Sequence, residues 1–313
     1  MSNSSPDPTP GARPTGVSDP ASAAQNIQQM FDAIAPRYDL LNHLLSAGID
    51  RLWWRRTARA LRPILARPEA VVLDLCCGTG DMTLALDKLR PKPRNLIPQG
   101  LKPTSLAASI GIRSTSLRTG SEAVPLSKTS LSTADRVPQV STLRPGSEAP
   151  HNSSPEPILA VDFSRNMLAL AQPKFADRNI RAIEADALHL PFADASIDLI
   201  TCAFGFRNLA SYPDGLAELY RVLRPSGQIA LLDFNQPTGL MGALYSLYFK
   251  HILPLLGRLI SRDPRAYTYL PESVARFPRP PRMIELIAAA GFIEPTWTPY
   301  TFGVAGLYRT TKP

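Results

Sequence analysis

The sequence predicts an α/β protein with a mostly parallel sheet and helices on both faces. Two observations lead to this prediction. Short apolar segments that read as buried strands alternate along the chain with helical segments, and the first strand runs into a glycine-containing turn that opens a helix. Such alternation gives parallel strands joined by right-handed crossovers, and ligands bind at the carboxyl ends of those strands.

The first strand and its turn are the most informative segment. Residues 71–81 read Val-Val-Leu-Asp-Leu-Cys-Cys-Gly-Thr-Gly-Asp. Gly78 and Gly80 allow a sharp turn and leave room for a ligand against the main chain, and Asp81 is expected to cap a helix over 82–88. The spacing is not that of a dinucleotide-binding loop or a P-loop, since it has neither a third glycine nor a Gly-Lys-Ser/Thr sequence.

Aspartates end the next two predicted strands. Strand two is predicted over Ile158–Asp162 and strand three over 183–186. At the tip of its strand, Asp162 can accept two hydrogen bonds from ribose hydroxyls, although it can also cap the following helix. Asp186 can accept from an exocyclic amine such as that of adenine, and the Ala187 N–H can contact the same ring. A solvated loop aspartate is the alternative for Asp186.

The remaining strands of the parallel part follow the same order. Strand four is predicted over 196–204 and strand five over 228–234, with a helix over 212–222 and a turn over 223–227 between them. Asp198, at the start of strand four, lies away from the ligand edge and reads as structural. The order therefore places the ligand edge after strands one to four.

Several longer segments resemble one enzyme family. These segments are Phe31–Asn42, Leu45–Trp53, Phe204–Asn208, Tyr220–Gly227, Leu253–Gly257 and Tyr267–Val274. They are similar to the demethylmenaquinone/ubiquinone C-methyltransferases, and the Asp-x-x-x-Gly-x-Gly pattern from Asp74 resembles motif I of the S-adenosylmethionine-dependent methyltransferases. The resemblance covers 25–88 and 158–310. It implies a Rossmann-like class I methyltransferase fold with a seven-stranded, mostly parallel sheet.

The resemblance implies a reaction and a cofactor. The reaction is C-methylation of a prenylated quinol with S-adenosylmethionine, first of all demethylmenaquinol to menaquinol. A benzoquinol of the ubiquinone pathway, another small molecule, and a non-catalytic assembly subunit of the same fold stay open as alternatives. The expected cofactor-binding residues are Asp74, Gly78, Thr79, Gly80, Asp162, Asp186 and Ala187. Ala203 stands where the family often has a serine, which puts that one contact in doubt.

Three residues are candidates for the chemistry. The acceptor carbon becomes nucleophilic when a ring hydroxyl loses or polarises its proton. Arg207 cannot act as a base, so we expect it to stabilise the negative charge, with Asn208 as a hydrogen-bond donor beside it. A structural salt bridge is the alternative for Arg207. Tyr38 is expected to help close the site, with ordinary packing as the alternative.

The charge and the aromatic residues of the chain indicate which classes of partner it binds. The chain has 313 residues and a formal net charge of +8, and a nucleic-acid interface would be a basic stripe with aromatic residues. The nearest such cluster, 51–62, reads better as an amphipathic helix with Leu52, Ala58 and Leu61 facing inward. Tryptophans beside arginines also suit a lipid headgroup surface. We expect transient membrane-surface contact and no nucleic acid; a homo-oligomer is compatible with these features.

Composition also bears on the compartment and on metals. The three cysteines and four histidines show no spacing typical of a metal site, so no metal is predicted. No signal peptide is visible, which together with the few cysteines predicts a cytoplasmic protein, peripheral at the inner membrane face.

Two segments are too polar and too rich in proline to form a core. We predict a disordered tail over 1–22 and a disordered low-complexity insertion over 91–157. The methyltransferase domain is then formed by 23–90 and 158–313. The insertion is expected at the edge of the sheet opposite the site, where it leaves catalysis intact.

Overall fold

The computed structural model describes residues 11–12, 20–35, 48–92, 155–237, 239, 242, 247 and 265–313. Most of the predicted tail lies outside these residues, and so does the predicted insertion except at its two ends. Tyr38 also lies outside them.

A seven-stranded sheet is the centre of the domain. Its strands are β1 (Val72–Leu75), β2 (Ile158–Asp162), β3 (Ile180–Glu184), β4 (Ile197–Ala203), β5 (Leu223–Phe234), β6 (Ile293–Tyr300) and β7 (Ala305–Thr311). The strand order is β3-β2-β1-β4-β5-β7-β6. Strands β1 to β5 run parallel, whereas β7 is antiparallel to both β5 and β6. The predicted seven-stranded, mostly parallel sheet is confirmed.

Helices pack on both faces of this sheet. They are α1 (Pro20–Ile34), α2 (Asp50–Ala60), α3 (Arg62–Leu65), α4 (Asp81–Asp87), α5 (Arg165–Phe175), α6 (Tyr212–Val222), α7 (Arg265–Arg276) and α8 (Pro280–Ala289). Leu73 and Leu75 pack with α6 and α8 on one face, and Val72 packs with α2 and α4 on the other. Because both faces are buried, the central strands are near-continuous apolar runs.

Three predicted boundaries are wrong. The cap of α4 is Gly80, at a φ of 90°, and Asp81 is the first residue of the helix; glycine tolerates this left-handed conformation. Strand β3 ends at Glu184, and Asp186 lies in the loop beyond, where its carboxylate accepts the backbone N–H of Leu188 in a local turn. Strand β5 begins at Leu223, inside the predicted turn, because that residue already pairs with β4.

Arg90 holds the two ends of the predicted insertion at one place. Its guanidinium donates hydrogen bonds to the carbonyl oxygens of Arg67, Pro68 and Glu156, at 2.9, 3.1 and 2.7 Å. The backbone N–H of Glu156 also bonds to the carbonyl of Pro68, at 2.9 Å. The described residues at the two ends of the predicted insertion therefore lie beside the same side chain.

We expect the domain to fold when residues 94–153 are replaced by a Gly-Ser linker of about ten residues. A shorter loop costs less closure entropy, so the free energy of unfolding should rise by about 1–2 kcal/mol. Urea unfolding of both proteins measures the difference, with circular dichroism as the check on folding. A variant that no longer unfolds cooperatively would show that the segment is part of the folded domain.

Candidate active site

A cavity opens at the carboxyl edge of the parallel strands. The loops that follow β1, β2, β3 and β4 line it, together with residues of α1. Most of the lining is apolar, and the carboxylates of Asp162 and Asp186 are part of it. Open α/β sheets bind small molecules at this edge, in mostly apolar pockets with a few polar groups.

The glycine loop after β1 forms one wall. Gly78 and Gly80 have φ angles of 55° and 90°, which favour glycine. Gly78 lines the cavity, while Thr79 and Gly80 do not. A side chain at position 80 would also collide with the ring of Phe175. The predicted turn residues thus divide into one that faces the cavity and two that support the loop.

Asp162 connects the first two loops of the site. Its Oδ2 accepts the backbone N–H of Gly78 at 2.8 Å, and its Oδ1 accepts the backbone N–H of Ser164 at 2.9 Å. Burial raises the pKa of this carboxyl, and the backbone hydrogen bonds oppose the rise. A carboxylate can accept about four hydrogen bonds, so these backbone donors do not use all of its acceptor positions. The side chain can therefore accept hydrogen bonds from a ligand while it holds the loops.

Asp74 lies beneath the glycine loop and does not line the cavity. It is fully buried, and it accepts hydrogen bonds from the hydroxyls of Thr83 and Thr201, both at 2.6 Å. Burial raises the pKa of Asp74 to about 6, against the effect of these two hydrogen bonds. The side chain ties β1 to α4 and β4, so it fixes the loop from below.

The loop after β3 brings the other predicted cofactor residues to the cavity. Asp186 and Ala187 both line it. The carboxylate of Asp186 accepts the N–H of Leu188 at 2.9 Å, and the side chain is 40% exposed. One carboxylate thus lies at each of the two loops after β2 and β3.

Arg207 forms a buried salt bridge, the alternative that the sequence left open. Its Nη1 donates to Asp233 at 2.9 Å and also to the carbonyl of Phe204, and its backbone N–H bonds to Asp233 at 3.0 Å. Burial raises the pKa of Asp233, and the guanidinium opposes the rise. Arg207 is 5% exposed and does not line the cavity. The pair fixes the turn that carries the next residue.

Asn208 is the polar residue of this turn that lines the cavity. Its Oδ1 accepts a hydrogen bond from the hydroxyl of Tyr269, on α7, at 3.0 Å. Burial raises the pKa of Tyr269 to about 12, so this hydroxyl stays a donor at neutral pH. Because the amide oxygen is engaged, the NH2 group of Asn208 is the group that it offers to a ligand.

Helix α1 supplies lining residues that the sequence did not predict. Ile27, Gln28 and Phe31 all face the cavity, and Gln28 donates to the carbonyl of Phe163 at 2.9 Å. The only sequence signal was the resembling segment that begins at Phe31. Contacts between α1 and a loop more than a hundred residues later cannot be read from periodicity.

An aromatic layer closes the side of the cavity next to α2. Phe204 lines the cavity, with its ring centroid 5.7 Å from that of Trp53 and 4.6 Å from that of Phe234. The indole N–H of Trp53 donates to the hydroxyl of Thr301 at 2.8 Å. These aromatic residues were not predicted as site residues.

Two further findings on the described residues concern metal binding and membrane crossing. Among them, no three His, Cys, Asp or Glu side chains lie close enough together to bind a metal ion. None of the helices in the same part of the chain has both the length and the apolar composition needed to cross a bilayer.

Comparison with known proteins decides the family. The sequence profile of the ubiE/COQ5 methyltransferase family matches residues 20–107 and 126–312. The chain belongs to this family. It is 39% identical over 299 residues to a demethylmenaquinone methyltransferase of Deinococcus radiodurans, covering 95% of this chain and 96% of that protein. It is 38% identical to one of Thermus thermophilus, covering 91% of this chain and all of the relative.

Solved structures agree on the fold. A methyltransferase of Thermotoga maritima, described as S-adenosylmethionine-dependent and as a possible histamine N-methyltransferase, superposes with a TM-score of 0.52 at 14% identity. The match covers 92% of this chain and 100% of that one. The expected class I methyltransferase fold is therefore confirmed. As a ubiE/COQ5 family member, the protein is an S-adenosylmethionine-dependent methyltransferase.

Proposed function

We propose that this protein methylates a ring carbon of a prenylated quinol and converts demethylmenaquinol to menaquinol. The observation that carries the proposal is that one cavity is lined both by Asp162 and Gly78, which share a hydrogen bond, and by Asn208. Asp162 and Gly78 suit the binding of a nucleoside, and the amide of Asn208 suits a hydrogen bond to a ring oxygen. The names of the two relatives support this choice of quinol.

The cavity fits the cofactor by the chemistry of its donors and acceptors. S-adenosylmethionine supplies an activated methyl group on a sulfonium when it is bound. Asp162 would accept the ribose hydroxyls through the lone pairs that Gly78 and Ser164 leave free. Asp186 would accept from the exocyclic amine of adenine, and Ala187 would lie beside the ring. Asp74 would contribute indirectly, by fixing the loop.

The second part of the proposal concerns the acceptor. Negative charge develops on a ring oxygen when the quinol hydroxyl loses its proton, and the Asn208 amide would donate a hydrogen bond to that oxygen. The ring carbon would then take the methyl group while the carbon–sulfur bond breaks with its electron pair going to sulfur. Loss of the proton from that ring carbon, and return of a proton to the ring oxygen, would restore the aromatic quinol. Most of the rate gain would come from holding the two reactants in line.

Arg207 and Tyr269 would act as positioning residues. Arg207 fixes the turn through Asp233, and Tyr269 fixes the amide orientation of Asn208. Neither lines the cavity. This replaces the expectation that the Arg207 guanidinium itself stabilises the oxyanion, because Asp233 already balances its charge.

A prenylated substrate partitions into a bilayer. The proposal therefore includes peripheral contact of the protein with a membrane surface on the cytoplasmic side, since a long prenyl chain would otherwise have to leave the lipid completely.

A labelled-methyl assay tests the reaction. Purified protein with S-adenosylmethionine should methylate reduced demethylmenaquinone at a kcat/KM at least about tenfold above that for the benzoquinol precursor of the ubiquinone pathway, a transition-state difference of about 1.4 kcal/mol. The oxidised quinone serves as the control, because it has no hydroxyl to deprotonate. A preference for the benzoquinol would assign that compound as the substrate instead. If the protein methylates neither quinol, the proposal is wrong.

Asp162→Ala should weaken cofactor binding about ten- to a hundredfold, because hydrogen bonds to a buried carboxylate are lost. Calorimetry with S-adenosylmethionine measures the affinity, and thermal unfolding reports whether the loops still fold. Glu184→Ala is the matched control: Glu184 pairs with Asp162 across β2 and β3 but does not line the cavity. If the two variants bind S-adenosylmethionine equally well, Asp162 does not bind the ribose.

Asn208→Ala should lower kcat about tenfold or more with little change in cofactor affinity. Tyr269→Phe should lower kcat about fivefold, because it removes one hydrogen bond. In the double variant the two losses should not add, since Tyr269 acts only through Asn208. Losses that multiply in this cycle would show that Tyr269 acts independently of the amide.

A further inference from the structure

Exposed apolar side chains collect where α2 begins and where β6 turns into β7. Leu52 is 58% exposed, Ile49 37% and Phe302 79%. The two segments are in contact, because Trp53 donates to Thr301 at 2.8 Å. The prediction that Leu52 faces inward is therefore wrong. Its neighbour Trp53 occupies the interior instead, with 4% exposure. We name the surface formed by Ile49, Leu52 and Phe302 the apolar rim.

The backbone presents Phe302 to solvent. Thr301 and Phe302 have φ angles of 44° and 55°, and Gly303 follows at 87°. Non-glycine residues rarely adopt this region, and strained backbone of this kind collects at functional positions. A large aromatic residue in a strained turn, with most of its surface in water, contributes nothing to the core. The turn therefore favours a role for Phe302 at an interface.

Exposed arginines follow the apolar rim along the same helix. Arg51, Arg55, Arg56, Arg59 and Arg62 are all exposed along α2 and the start of α3. None of the five forms a salt bridge within the part of the chain that the structure describes. Arg56 lies over the ring of Tyr300, 4.4 Å from its centroid. Apolar tips beside exposed arginines match the interface of a bilayer with anionic headgroups.

The apolar rim lies at the same edge of the sheet as the cavity. Phe234, the last residue of the parallel strand β5, pairs with Ala305, just after the turn that carries Phe302. Trp53 beneath the rim touches Phe204, which lines the cavity. The rim and the cavity are thus on two sides of one aromatic layer.

The geometry points to the apolar rim and its arginines as the surface on which the protein docks onto an anionic phospholipid bilayer. Leu52, Ile49 and Phe302 enter the interfacial region, and the arginines contact the phosphates. The inference rests on the proposed function, because docking would bring the cavity to a quinol held in the lipid. A second copy of the chain is the competing occupant of an exposed apolar surface.

Vesicle binding of the full chain tests the assignment. The probes are vesicles of phosphatidylglycerol and phosphatidylcholine in a 3:7 ratio, and vesicles of phosphatidylcholine alone; cosedimentation measures the partition. Leu52→Ser with Phe302→Ser should weaken binding to the anionic vesicles about tenfold or more. Arg51→Gln with Arg55→Gln should weaken it by a similar factor, at about fivefold for each charge, and should not alter binding to the neutral vesicles.

Leu170→Ser is the matched control, since Leu170 is 40% exposed but lies on α5, away from the rim. Its partition should equal that of the unchanged protein. Calorimetry with S-adenosylmethionine should give the same affinity for every variant, which shows that each is folded. Methylation of a quinol embedded in vesicles should fall with the partition, while methylation of a soluble quinol without a prenyl chain should not change.

Several results would overturn the inference. They are no vesicle binding by the unchanged protein, equal binding by the control and the rim variants, or a dimer in sedimentation that Leu52→Ser with Phe302→Ser converts to a monomer. The last result would assign the rim to a second copy. If the unchanged protein methylates neither quinol, the proposed function fails, but the vesicle partition still decides the docking surface.

Discussion

One carboxylate, that of Asp162, holds together the two loops between which the cavity opens. It accepts the backbone N–H of Gly78 from the loop after β1 and that of Ser164 from the loop after β2. Backbone donors at a loop of this kind have no strand or helix partner, so a side chain must satisfy them. The carboxylate that satisfies them is also in the cavity lining. In the proposed function, loop geometry and ligand recognition therefore depend on the same two oxygen atoms, and a change at this position would alter both.

The rest of the carboxyl edge is supported by charges that never reach the cavity. Asp74 is held by the hydroxyls of Thr83 and Thr201, and Asp233 is held by Arg207. Removing one member of a buried ion pair costs about 3–5 kcal/mol, because the other charge is left uncompensated. Such groups keep the loops in one conformation. That fixed conformation is what an in-line displacement needs, since its rate depends on the alignment of the reactants.

Local patterns account for what the sequence predicted and for what it missed. The glycine turn and the aspartate at the tip of β2 were found because each follows directly from a strand that ends. The lining contributed by α1 was missed, because it comes from packing between distant segments. Leu52 was assigned to the interior because a helical period marks an apolar face, whereas Trp53 next to it takes that position through its bond to Thr301. Arg207 looked catalytic by its place after β4, and only the structure reveals Asp233 beside it.

The aromatic layer of Trp53, Phe204 and Phe234 lies between the cavity and the surface that we propose for docking. A prenylated quinol has a polar ring that must reach Asn208 and an apolar chain that gains nothing by leaving lipid. An enzyme for such a substrate avoids extracting the chain if its cavity opens next to the bilayer. Trp53 packs under the apolar rim and touches Phe204 in the cavity wall, so a single aromatic layer separates the rim from the cavity. In the proposed docking mode, the arginines along α2 would favour the orientation that turns the rim toward the lipid, because they attract its phosphates.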